Sequence, residues 1–139
     1  MKASGELYRG TAYICAPIRG IRDSQACYTA IKKALEKAGF EILDPWVVEG
    51  KELSKNPREI FERDVALLRS AELVVAEVSM PSLGVGMELM LAKELGKRVI
   101  ICYRKGAEVS LMVLGAGFEE IAYKDSKDLE RKLFNKITS

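Results

Sequence analysis

Two carboxylates stand where the hydrophobic pattern calls for apolar side chains. Between Pro57 and Ser70 the spacing predicts a helix. On a wheel turning about 100° per residue, Ile60, Phe61, Val65, Leu67, Leu68 and Ala71 share one arc. Asp64 falls inside that arc, whereas Glu59, Glu62, Arg63 and Arg69 fall on the other side. Glu88 repeats the pattern: in the helix expected after Gly84-Val85-Gly86 it lies inward, between Leu95 and Ala92, with Lys93 and Glu94 outside. A charge on a buried face is costly unless it is paired, hydrogen-bonded or turned into a cavity. Asp64 is therefore either a structural carboxylate holding a loop or an arginine, or part of a site; the site reading is preferred. Glu88, expected in the first helical turn, could simply complement the dipole or close a capping box. However, its helix follows the central strand, so its N-terminus opens onto the crevice where such sheets bind ligands. Two carboxylates converging in a cleft suit cleavage of a glycosidic bond. One attacks the anomeric carbon or stabilises its charge, and the other assists the leaving group or positions the sugar.

The glycines at 84 and 86 would let backbone N–H groups approach an anion at a helix N-terminus. Arg19, in the loop after the first strand, is a cation suited to a phosphate, although alone it could be an ordinary surface arginine. The chain contains no histidine. That excludes Ser-His-Asp and Cys-His triads and His-ligated zinc, and leaves acid–base work to Asp, Glu, Tyr, Lys or Cys with shifted proton affinities.

The elements that must hold these groups alternate in type. Buried strands are expected at Thr11–Ala16, Phe40–Leu43, Leu73–Val78, Arg98–Tyr103 and Phe118–Ala122. Between them come a helix from an Asp23 or Ser24 cap to Ala38, one opened by Asn56-Pro57-Arg58-Glu59, and one ending near Gly96. A short helical segment at Val109–Leu114 and a terminal helix at Ser126–Ile137 complete the series. This is the pattern of an α/β domain, a doubly wound sheet of about five mostly parallel strands with helices on both faces. Its length fits a flavodoxin-like strand order. The 139 residues amount to one domain, with 1–10 read as a loose N-terminal segment. Net charge is +2, from 22 basic and 20 acidic residues in no concentrated block, which speaks against nucleic acid as a partner. The odd number of cysteines (Cys15, Cys27, Cys102) without a CxxC suggests neither a disulfide framework nor a zinc site. No apolar run is long enough to span a bilayer, so a cytoplasmic protein without a membrane partner is expected.

Several stretches together resemble the nucleoside 2-deoxyribosyltransferase superfamily, and within it the 2′-deoxynucleoside 5′-phosphate N-hydrolases. They are Tyr13-Ile14-Cys15-Ala16-Pro17-Ile18-Arg19-Gly20, Glu62-Arg63-Asp64 and Val74-Val75-Ala76-Glu77-Val78. Pro81-Ser82-Leu83-Gly84-Val85-Gly86-Met87-Glu88-Leu89, Val109-Ser110-Leu111-Met112 and Gly115-Ala116 complete the set. The resemblance implies Glu88 as nucleophile, Asp64 as the residue that contacts the sugar and assists departure of the base, and Tyr13 as a hydrogen-bond partner near the nucleophile. It implies a 5′-phosphate site drawing on Ile18, Arg19, Gly20, Ser82, Gly84 and Gly86. Tyr28 and Trp46 would line the sugar and base side. Ser110, with Met112 beside it, would reach the phosphate of a neighbouring subunit, implying a homodimer with shared sites. No cofactor or metal is implied. Ser82 occupies a position where the transferases typically carry an aspartate; a second carboxylate would repel a phosphate dianion, whereas a hydroxyl can donate to it. The chain departs from the hydrolase pattern in having Ala16-Pro17 where Gly-Ser is usual and Trp46 where histidine is common. The expected activity is hydrolysis of nucleoside 5′-monophosphates to base and sugar phosphate. Base exchange on deoxyribose and non-catalytic nucleotide binding are the alternatives.

Overall fold

A computed structural model describes residues 7–17 and 25–139. Residues 1–6, the expected Asp23 or Ser24 cap, and Ile18, Arg19 and Gly20 of the phosphate expectation lie outside the described residues. The chain runs β1 (Gly10–Cys15), α1 (Gln25–Lys37), β2 (Phe40–Ile42), a 3-10 turn (Pro45–Val47), α2 (Pro57–Ser70) and β3 (Leu73–Glu77). It continues through α3 (Leu83–Glu94), β4 (Arg98–Arg104), α4 (Leu111–Gly115), β5 (Glu119–Tyr123) and α5 (Ser126–Thr138).

Local chemistry sets the helix ends. Oδ1 of Asn56 accepts from the N–H groups of Arg58 and Glu59 at 3.0 and 3.2 Å, and Pro57 follows at the position where its missing N–H costs nothing. Asp125 caps α5 through Asp128 N–H at 2.8 Å. At the C-termini of α1 and α3 the chain turns through Gly39 and Gly96, at φ of 94° and 69°, a region closed to most side chains.

The five strands form one sheet in the order β2-β1-β3-β4-β5, with every pair parallel. This is the flavodoxin-like order expected from the sequence. The order reverses between β1 and β3, where Tyr13 pairs with Val74 and Cys15 with Ala76. A crevice therefore opens beyond the carboxyl ends of those two strands. One core, beneath α1 and α5, includes Ile14, Ile31, Leu35, Val75, Ile100, Tyr123 and Leu129. The other, beneath α2 and α3, includes Tyr13, Cys15, Leu68, Val74, Val85, Leu89 and Ile101.

Helix α2 departs from the wheel. Only Leu68 is fully buried along it, and Phe61, expected on the buried arc, is 56% exposed. Arg63, expected to face solvent, is drawn back to 24% side-chain exposure by two carboxylates and an aromatic ring. A wheel reports where Cβ points, and a long side chain can end on the other side of it.

Candidate active site

Strand β1 presents Tyr13 and Cys15 towards α2 and α3. The Tyr13 hydroxyl donates to Oε2 of Glu88, and the Cys15 thiol hydrogen-bonds the same carboxylate. Helix α3 begins at Leu83 after its Ser82 cap, with Val85 at the third position, so Glu88 lies in the second turn. That corrects the first-turn placement read from the sequence, and removes the capping-box explanation, which requires the third helical position. Burial pushes the Glu88 carboxyl up to about 7. The Tyr13 hydrogen bond opposes this, the Asp64 charge adds to it, and the Cys15 hydrogen bond and Arg63 charge oppose it. Burial, with Glu88 next to it, holds the Tyr13 and Cys15 protons well beyond their ordinary ranges, so both act as donors.

Asp64, half-buried on α2, faces this group. Burial raises its pKa, against the pull of the Arg63 hydrogen bond and charge, while the Glu52 charge works with burial. Arg63 donates to Oδ1 of Asp64 from Nε at 2.9 Å and to Oε1 of Glu52 from Nη1 at 2.7 Å. Its guanidinium carbon lies 4.8 Å from the centre of the Trp46 ring. Trp46 thus meets the carboxylate pair through Arg63. Asp44, just past β2, is fully buried: Oδ1 accepts from Ile14 N–H at 2.9 Å and Oδ2 has no partner. Burial raises its pKa strongly, against the Ile14 hydrogen bond, and the Glu88 and Asp64 charges raise it further.

The N-terminus of α3 is held by the loop after β3. Glu77 accepts from Ser79 N–H and hydroxyl at 2.8 and 2.9 Å and from the Tyr123 hydroxyl, and Ser79 Oγ accepts from Arg104 N–H at 2.9 Å. Ser82 Oγ then accepts from Val85 N–H at 3.3 Å, which leaves the hydroxyl proton able to donate outward. A Cβ on Gly84 or Gly86 would meet nothing within 4 Å, and neither residue has a positive φ. The protein's own packing therefore does not require these glycines, and the space above their backbone suits the close approach of an anion to a helix N-terminus.

Tyr28, on α1, is buried in the core on the opposite face of the sheet from Tyr13. Ser110 caps α4, accepting from Val113 N–H at 3.4 Å, and Met112 beside it is 85% exposed. Sequence reading missed Glu52, Asp44 and the inward role of Arg63; only an acidic residue and a tryptophan upstream of a helical arginine hinted at such a cluster. Among the described residues no group of three His, Cys, Asp or Glu side chains could hold a metal ion, and no helix is long and apolar enough to cross a membrane. A shallow hollow between β5 and α5, lined by Glu120, Lys132 and Lys136, includes none of these site residues.

The family model for nucleoside 2-deoxyribosyltransferase matches residues 12–128. The chain is 43% identical over 124 residues to the 5-hydroxymethyl-dUMP N-hydrolase of Mus musculus, covering 84% of this chain and 71% of the relative. It is 40% identical over 129 residues to a Thermofilum pendens protein provisionally named 2′-deoxynucleoside 5′-phosphate N-hydrolase 1, covering 87% and 90%. In fold it is similar to the solved CMP N-glycosidase BcmB of Clostridium botulinum, with a TM-score of 0.71 at 18% identity over 91% of this chain and 98% of that one.

Proposed function

The chain belongs to the nucleoside 2-deoxyribosyltransferase family, and we propose that it hydrolyses the N-glycosidic bond of 2′-deoxynucleoside 5′-monophosphates, releasing free base and deoxyribose 5-phosphate. The observation that carries this reading is the Glu88 carboxylate, largely withdrawn from solvent in the second turn of a capped helix, held by Tyr13 and Cys15 and within reach of the Asp64 charge. In the first step an oxygen of Glu88 bonds to C1′ as the C1′–N bond breaks. The bond's electron pair leaves with the base, which takes a proton from Asp64. In the second step water attacks C1′, gives its proton back to Asp64 and frees the Glu88 carboxylate, the retaining course of a two-carboxylate glycosidase. Tyr13 and Cys15 hold the nucleophile in one orientation before substrate arrives.

Phosphate binding falls to the α3 N-terminus. The Ser82 hydroxyl and the N–H groups of Leu83 and Gly84, ahead of the first helical bond from Gly86 N–H to Ser82 C=O at 3.0 Å, supply donors, and Arg19 supplies a cation. With the 5′-phosphate anchored there, Glu88 lies one helical turn further on, in a place to meet C1′. The named hydrolase relatives support a monophosphate over a free nucleoside, and the serine at 82 supports it independently.

The α3 residues Leu83, Met87 and Met90 are exposed by 92%, 61% and 55%, and Leu111 and Met112 on α4 by 85% each. This apolar face suits a second copy of the chain, which would bring Ser110 to the phosphate of the neighbouring site. The test is a product assay on ribo- and deoxynucleotides and their nucleosides, with and without added acceptor base. The expected result is free base and sugar phosphate from deoxynucleoside monophosphates, with much slower reaction of the nucleosides and little diversion by acceptor. Rapid base exchange with no advantage for the monophosphate would overturn the reading in favour of a transferase.

A further inference from the structure

Adjacent residues on a helix point about 100° apart and do not face each other, so an arginine and an aspartate at successive positions need an outside cause to pair. Arg63 and Asp64 have one. The guanidinium lies back across α2, donating to Oδ1 of Asp64 from Nε and Nη2 at 2.9 and 2.8 Å. From its far edge Nη1 and Nη2 donate to the two Glu52 oxygens at 2.7 and 3.2 Å. The Trp46 ring lies against it at 4.8 Å, and the Arg63 and Glu52 side chains are each only 24% exposed. Both contacts with Asp64 fall on one oxygen, so the arginine does not occupy the second.

We propose that Arg63, bridged to Glu52 and seated on Trp46, is the positioning residue for Asp64. It fixes one carboxyl oxygen so that the other faces the departing base, and Glu52 limits how much of the arginine's charge Asp64 feels. This rests on the N-glycosidase reading given above. The charged and titratable groups around Asp64 are Cys15 from β1, Asp44 after β2, Glu52 from the segment before α2, Arg63 on its own helix and Glu88 from α3. Among them Arg63 favours the ionised carboxylate, and Glu52 disfavours it. Removing either partner therefore moves the Asp64 proton in opposite directions, which a merely structural bridge would not do.

The experiment compares wild type, Arg63→Gln, Glu52→Gln and Asp64→Asn on two substrates. One is the deoxynucleoside monophosphate that the wild type cleaves best. The other is 4-nitrophenyl 2-deoxyribofuranoside 5-phosphate, whose phenolate leaves without a proton. Arg63→Gln is expected to lose roughly tenfold or more on the first, in the range of a displaced general acid, and to keep most of its rate on the second. The retained nitrophenyl activity also shows that the variant is folded. In the pH profile of kcat/KM on the nucleotide, the limb that Asp64→Asn abolishes should move to higher pH in Arg63→Gln and to lower pH in Glu52→Gln. Equal losses on both substrates, or a limb that stays in place or moves the same way in both variants, overturns the inference. A wild type that cleaves neither substrate refutes the N-glycosidase reading itself.

Discussion

At the level of single residues, Glu88 meets two opposed demands. A nucleophile must be ionised, yet its burial raises its proton affinity to about 7. In the free protein its reactive form therefore grows as pH rises through that value, and kcat/KM should climb across it. The same shift has a consequence for stability. A carboxyl whose folded pKa is raised stabilises the fold fully below its ordinary value of 4.5, and that contribution is lost as pH rises through about 7. Glu88→Gln is neutral at every pH. It should match the wild type in unfolding free energy near pH 4 and exceed it at pH 8 by about 3 kcal/mol at most, while losing about 10³-fold or more in activity. Denaturant unfolding at the two pH values checks the first statement and a rate assay the second. A variant no more stable than wild type at pH 8 would contradict the buried setting of Glu88.

At the level of elements, the account depends on the N-terminus of α3. Gly84→Ala places a methyl group where the protein itself has nothing within 4 Å, so it should fold normally and even stabilise the helix by up to about 1 kcal/mol. It should also raise KM for the monophosphate by about tenfold or more, leaving the slow nucleoside reaction nearly unchanged; KM measurements on the two substrates check this. The element pattern was legible because its signals are local. Asn56-Pro57, Gly39 and Gly96 mark helix ends by their own backbone chemistry, and the short apolar run Leu73–Val78, read as a central strand, forms β3 over Leu73–Glu77. The inward placement of Glu88 was legible for the same reason, since it needs only helical periodicity. Its turn was misplaced because Ser82, rather than the glycines, opens the helix. The Glu52–Arg63–Trp46 cluster was not legible. Its partners come from three separate segments, and the direction of Arg63 is set by ion pairs that periodicity does not encode.

At the level of the whole molecule, the apolar side chains left uncovered on α3 and α4 carry the expectation of a homodimer. If Ser110 completes the neighbouring site, Glu88→Ala and Ser110→Ala subunits should restore activity when mixed. A mixed dimer would hold one doubly defective site and one intact site. With random exchange, half the dimers are mixed and each has one good site, so activity should return to about a quarter of wild type. Rate assays before and after subunit exchange check this, and an active monomer on sizing would contradict it.

The central claim is that Glu88 attacks C1′. It is tested most directly by intact-mass and peptide analysis after incubation with a 2′-deoxy-2′-fluoroarabino nucleoside 5′-monophosphate. Its fluorine should slow release of the sugar from the protein more than its attachment. The account predicts one sugar phosphate added per chain, on the peptide carrying Glu88, and none on Glu88→Gln. Release of base with no adduct on the protein, or an adduct on another residue, would contradict it.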